Sequence, residues 1–288
     1  MKFVVYRAKK YDSIAAIPEN ARLEALSFIK KSIPATLWNK HAHEVQQLKQ
    51  TCLQHPLFQL PILTRLSNQT LSLEQLKFIH INYFTAIVKN FTDTLSMVIY
   101  QALQLENHEN IYEVDRIHAK AYARYLLSLN LIDELGFNTY ELSLSSPARS
   151  HLVYFMDLLK LLKVNPLDQK QVVTEAYDLN QFNHPHLPSY NNLLLILACA
   201  ELQVIKYSEA LRINLEKYDV QFSYGYYACH GVVDHSEKLA NDDNHEDDIW
   251  ALLTQSYQSS QQHSYEQLLG QYLQLWQNFW SKMDTLTT

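Results

Sequence analysis

Apolar residues recur along this chain at spacings of three and four, the period of helices packed by one face. From Thr36 to about Gln54 the pattern LWxxHAxEVxxLKxxCL keeps that spacing, and Pro56 and Pro61 then break the chain before a brief segment around Leu63. Ser72 and Gln75 form a capping-box pattern ahead of Leu76, Ile79, Tyr83, Ala86, Ile87, Phe91, Leu95 and Val98. That series predicts one long helix with a broad apolar face. A further helix covers about 108 to 132, ended by Gly136 and a polar, serine-rich loop to Ser146. Pro147 opens the next, with His151, Tyr154, Phe155, Leu158, Leu159 and Leu162 toward one side.

Pro166, Pro185 and Pro188 bracket an irregular connection with one short helix. The run that follows, YNNLLLILACAELQVIKYSEALRINLEKY, is apolar nearly all round in its first half, as expected of a central helix enclosed by neighbours. A helix from about 221 to 240, an acidic loop NDDNHEDD, and helices of about 247 to 258 and 262 to 284 complete the chain. Residues 1–35 read as an N-terminal appendage with a short strand-like FVVY and a helical stretch between Pro18 and Pro34. No internal repeat interrupts the rest, so 36–288 is expected to be a single all-α domain.

Composition narrows the class further. With 288 residues and 47% hydrophobic residues a substantial core can form, and only 4 glycines and 8 prolines favour long helices over turn-dense β or doubly wound α/β folds. A net charge of -6 with scattered Lys and Arg argues against a nucleic-acid partner. The three cysteines, Cys52, Cys199 and Cys229, have no CxxC spacing and suit reduced thiols. The N-terminus lacks a secretory pattern, and the longest apolar run, Leu193 to Ala200, is far short of the roughly 20 residues of a membrane span. A cytoplasmic protein without a membrane partner is the expectation.

Three features carry chemistry. His230, Asp234 and Glu237, at offsets of zero, four and seven on the predicted 221–240 helix, fall within roughly 60° of one another. The aromatic stretch before them predicts burial, where an imidazole and two carboxylates need partners or a metal. Glu201 sits in the most apolar helix and calls for a cation or a proton. Asp133-Glu134 ends one helix, and His151 stands on the inner side of the next. Imidazoles and carboxylates drawn from several helices suit iron or manganese in a bundle core. The plainer alternatives are a buried His230–Asp234 hydrogen bond, a Glu134 that caps a helix end, cysteines acting as small hydrophobes, and a solvated loop at 242–248.

The succession NLIDELG (Asn130 to Gly136), SSPARSHLVYFMDLLKLL, ACAELQVIKYSEALRINLEKY and YYACHGVVDHSEK resembles the haem-oxygenase-like diiron oxidases. That group includes the chlamydial death-domain-associating protein family and shares its wider fold with TenA and PqqC. The resemblance covers roughly residues 60 to 260 and rests on the order of loose motifs. It implies an up-down bundle of about seven core helices holding two irons, with O2 as cosubstrate and a small organic molecule as substrate. Carried over, Glu134, His151, Glu201, His230, Asp234 and Glu237 are metal ligands, with Glu201, His230 and Asp234 at the reacting centre. Glu237 departs from the family, which has a histidine there, and the stretch from Glu134 to His151 is unusually long. Dimerisation, common in that fold, is a further implication. No proximal haem histidine is evident in the first core helix. Two other readings stay open: a metal-free enzyme of the same fold working by acid–base chemistry, and a non-catalytic helical binding protein.

Overall fold

The structure, a computed structural model, describes residues 21–138, 141–230 and 241–287. Among these residues every regular element is helical and there is no strand, so the chain is all-α. The helices are α1 (Ala21–Lys31), α2 (Ala35–Leu53), α3 (Pro61–Ser67), α4 (Leu73–Ala86), α5 (Phe91–Gln101), α6 (Arg116–Glu134), α7 (His151–Leu161), α8 (Thr174–Phe182), α9 (Tyr190–Glu216), α10 (Tyr226–Cys229), α11 (Asn241–Ser256) and α12 (Gln262–Leu286). No described helix is long and apolar enough to cross a membrane.

The axis of the bundle is α9. Ser189 caps it by accepting from the Asn192 N–H, and every side chain from Leu193 to Glu201 is buried, as a helix apolar all round requires. Packed around it are α3, α4, α5, α11 and α12. The aromatic face of α12 closes one side: Trp280 stacks on Tyr207 of α9 with ring centroids 4.0 Å apart, and Trp276 and Trp280 both face Tyr83 of α4. In α1, Ala25 and Ile29 are buried against α6 and α11, so the second half of the 1–35 stretch packs into the same core; FVVY lies outside the described residues.

Three boundaries differ from the sequence expectation. The capping box forms, with Ser72 Oγ accepting from Gln75 N–H and Gln75 Oε1 from Ser72 N–H, but the single helix expected to reach Val98 stops at Ala86 and resumes at Phe91. Ile87 takes φ -139° and ψ -47°, and a 3-10 turn spans Val88–Asn90. A regular helix would offer the Thr85 carbonyl to the Lys89 N–H; here Asn180 of α8 donates to that carbonyl at 3.0 Å instead. Thr85 and Thr94 also bond back to the carbonyls of Ile81 and Asn90, which bends helices.

The acidic run expected as a solvated loop is instead the first half of α11. Acidic residues favour a helix N-terminus, and long-range partners hold this one. Asp248 is buried against Arg22 at 2.7 Å, and Glu246 is buried against Lys49 at 2.8 Å while accepting from Trp250 Nε1. Finally, the helix expected over 108–132 is preceded by 3-10 turns and runs from Arg116 to Glu134, which makes Glu134 its last residue.

Candidate metal centre

The local structure that presents Glu134 begins with Gly136. Its φ of +83° closes α6: Gly136 N–H donates to Asp133 O and Phe137 N–H to Ile132 O, the left-handed helix stop that glycine accepts without strain. The chain then returns to the same spot. Ser146 N–H donates to Gly136 O, and a Cβ on Gly136 would meet Ser146 O at 2.4 Å and Ser150 N at 2.6 Å. Ser150 caps α7 by accepting from Val153 N–H, and His151 is the first residue of that helix. The long stretch between Glu134 and His151 is thus pinched at its base, and the two side chains meet.

His151 Nδ1 lies 3.0 Å from Glu134 Oε1, so the carboxylate pairs directly with the ring. His151 Nε2 lies 4.0 Å from Asp133 Oδ2. Burial opposes protonation of the ring, but the Glu134 charge and hydrogen-bond contacts with the Cys229 thiol and the Glu134 carboxylate outweigh it and hold the His151 pKa well above the ordinary imidazole value.

His230 completes the group by a route that the sequence did not predict. The expected helix from 221 to 240 is absent at its start: Val220–Ser223 is a 3-10 turn, Gly225 takes φ +67° with the Tyr154 ring against it, and α10 lasts four residues. His230 follows in extended conformation, φ -115° and ψ 129°. A single helical stripe therefore does not place it. What does is the turn out of α10, which sets its ring 4.6 Å from that of His151, nearly perpendicular, and 4.4 Å from Tyr226. Asp234 and Glu237 lie outside the described residues.

One donor atom from each of Glu134, His151 and His230 can be chosen so that all lie within 4.8 Å of one another, and all three residues are buried. Glu201 lines the same cavity from α9 and accepts a 3.0 Å hydrogen bond from Asn130 Nδ2. Asn130 stands one turn before Glu134 on the same face of α6, a spacing legible in NLIDELG but not singled out there. Cys229, read from sequence as a small hydrophobe, is half-exposed and touches His151. Tyr226, Ile87, Phe91 and Leu152 are among the other residues of the wall, and no Lys or Arg is among the described residues that line it.

The cavity measures about 20 Å3, room for a water or an ion. Two imidazoles and a carboxylate converging on it are the donor set of non-haem iron centres with open positions, so the residues present fit such a group. No protein-family model matches this chain, and no curated protein matches it significantly.

Proposed function

We propose that this chain is a non-haem iron oxidase with a haem-oxygenase-like bundle, using O2 to oxidise a small organic molecule. The observation that carries the reading is the convergence of one donor atom each from the buried Glu134, His151 and His230 within 4.8 Å of one another, on a cavity that Glu201 also lines. Glu134, His151 and His230 hold one ion. Glu201 lines the same cavity as a further ligand, and Asp234 and Glu237, expected from the sequence as the remaining ones, lie outside the described residues.

Iron bound there would supply the redox chemistry of O2. The chain's own residues do the rest. The two glutamates offset the positive charge in a cavity that no Lys or Arg among the described residues lines. Asn130 fixes the Glu201 carboxylate, and the Cys229 contact bears on the orientation of the His151 ring. Phe91 and Tyr226 narrow the approach of water.

Anaerobic titration of the full chain with Fe(II), counting ions per chain and then measuring O2 uptake, tests the reading. Two ions per chain are expected, with uptake lost in His151→Ala and His230→Ala. A wild-type chain that takes up no Fe(II) overturns it.

A further inference from the structure

A short chain of rings leads away from the candidate centre. The Tyr226 ring lies 4.4 Å from that of His230, and the Tyr227 ring 5.4 Å from that of Tyr226, nearly perpendicular to it. Beyond Tyr227 stands His80 of α4, whose Nε2 is 2.7 Å from the Tyr227 hydroxyl, and both residues are wholly buried. The far side of the imidazole sets the direction of this hydrogen bond. Nδ1 lies 2.6 Å from the Leu76 carbonyl, which only accepts, so Nδ1 carries the proton and the Nε2 lone pair accepts from the phenol. Burial keeps both groups neutral, lowering the His80 pKa to about 4 and raising that of Tyr227 well above the ordinary phenol value.

A phenol gives up an electron readily only where its proton has a base to go to, because the oxidised phenol is a strong acid. Tyr83, also buried and near Tyr226, has Ser208, Gln203 and Tyr226 about its hydroxyl, and none of these is a base. Tyr227 has an imidazole. We infer that Tyr227 and His80 are a redox-active pair that stores one oxidising equivalent beside the candidate centre. From the proposed function this takes only that Fe(II) at the centre reacts with O2. The electron leaves the Tyr227 phenol by way of the Tyr226 ring and reduces by one electron the oxidant that Fe(II) and O2 form. The Tyr227 O–H bond breaks, and the proton crosses to His80 Nε2 and forms an N–H bond there. The products are a neutral phenoxyl radical and an imidazolium that keeps its Nδ1–H bond to Leu76 O. Return of the electron sends the proton back along the same hydrogen bond. An imidazolium with only neutral hydrogen-bond partners is costly in this interior, which makes the pair a strong oxidant, and burial shields the radical from reductants in solution.

Electron paramagnetic resonance of the full chain, loaded with Fe(II), mixed with O2 and freeze-quenched, tests the pair. A tyrosyl signal is expected that is lost in Tyr227→Phe and that, after exchange into D2O, shows coupling to a single deuteron on the hydrogen bond. His80→Gln removes the base and should lower the radical yield at least about tenfold. The deuteron coupling is read on the unaltered chain, so it decides where a variant perturbs folding. A second arm needs no iron: flash-generated tris(bipyridine)ruthenium(III) oxidises the iron-free chain, and the same Tyr227-dependent signal is expected. Where Fe(II) is bound and O2 consumed, the iron arm decides, and the absence of a tyrosyl signal, a signal undiminished in Tyr227→Phe or His80→Gln, or a signal without the deuteron coupling makes the pair fall alone. Where Fe(II) is not taken up or O2 is not consumed, the iron reading falls and the ruthenium arm decides by the same criteria whether the pair stands.

Discussion

Two regions of this bundle bury pairs of acidic residues, and they treat them in opposite ways. In α11, Glu246 and Asp248 meet an ammonium and a guanidinium brought from α2 and α1, with Lys49 and Arg22 at 2.8 and 2.7 Å. At the candidate centre, Glu134 and Glu201 face two imidazoles and the amide of Asn130, in a cavity lined by no Lys or Arg among the described residues. A fixed cation ties a buried carboxylate into the packing of the helices, even where burial still holds its pKa above the ordinary value as at Asp248. Imidazoles and a neutral amide satisfy it in part, and the remaining attraction is available to a cation from outside. The first arrangement fastens helices together; the second resembles a socket.

The contrast can be broken most forcefully at Arg22. Arg22→Met leaves Asp248 buried and ionised, at an expected cost of about 3 kcal/mol at pH 8 by urea denaturation, the low end for a broken buried pair because Arg22 is partly exposed. The sign with pH is definite. Burial raises the Asp248 pKa to about 6 despite the opposing hydrogen bond and charge of Arg22. A carboxyl raised in the fold contributes stability that is present at low pH and lost as pH rises through about 6. The Arg22→Met penalty should therefore shrink at pH 5, and a penalty equal at both pH values would show that Asp248 is not the group exposed by the change.

A buried titratable group with neutral partners alone sharpens the comparison. His80 Nδ1–H donates to Leu76 O and Nε2 accepts from Tyr227 OH, and burial, only partly opposed by the Leu76 carbonyl, lowers its pKa to about 4. Here the sign is reversed: the neutral ring contributes stability present above about 6.5 and lost as pH falls toward about 4. The loss, about 2 to 3 kcal/mol, should be read as a falling denaturation midpoint over that window. A midpoint in His80→Gln that falls as steeply as in the wild type would assign the acid limb elsewhere.

The smallest expected effect is the most discriminating. Glu201→Gln keeps an oxygen for Asn130 but removes the charge, so the metal-free chain should gain about 1 kcal/mol, a rise of a few degrees in thermal midpoint, while losing affinity for Fe(II). A midpoint that drops instead would mean that the Glu201 charge is already compensated within the fold.

How much of this was legible in the sequence depended on the range of the interaction. The capping box at Ser72 and the enclosed helix around Glu201 are local patterns and stand in the structure as expected. Order of motifs likewise set Glu134, His151, Glu201 and His230 beside one another in the argument, and all four line one cavity. Misread were the features decided by distant partners. Asn180 diverts the Thr85 carbonyl and ends α4 early, and Arg22 and Lys49 fold an acidic run into a helix interface. His230 follows α10 in extended conformation, so the helix expected from 221 does not position it, and Asp234 and Glu237 lie outside the described residues.

Gly136 has one more consequence. Because the backbone returns to it at Ser146 and Ser150, the residues between form an excursion whose two feet are nailed together. Lengthening or shortening that excursion should leave Glu134 and His151 where they are, whereas any side chain at position 136 would pry them apart. The interval between the two residues is therefore free to drift, and a search for proteins of this kind should be anchored on a glycine two residues after the glutamate and a capping serine just before the histidine, not on the count of residues between them.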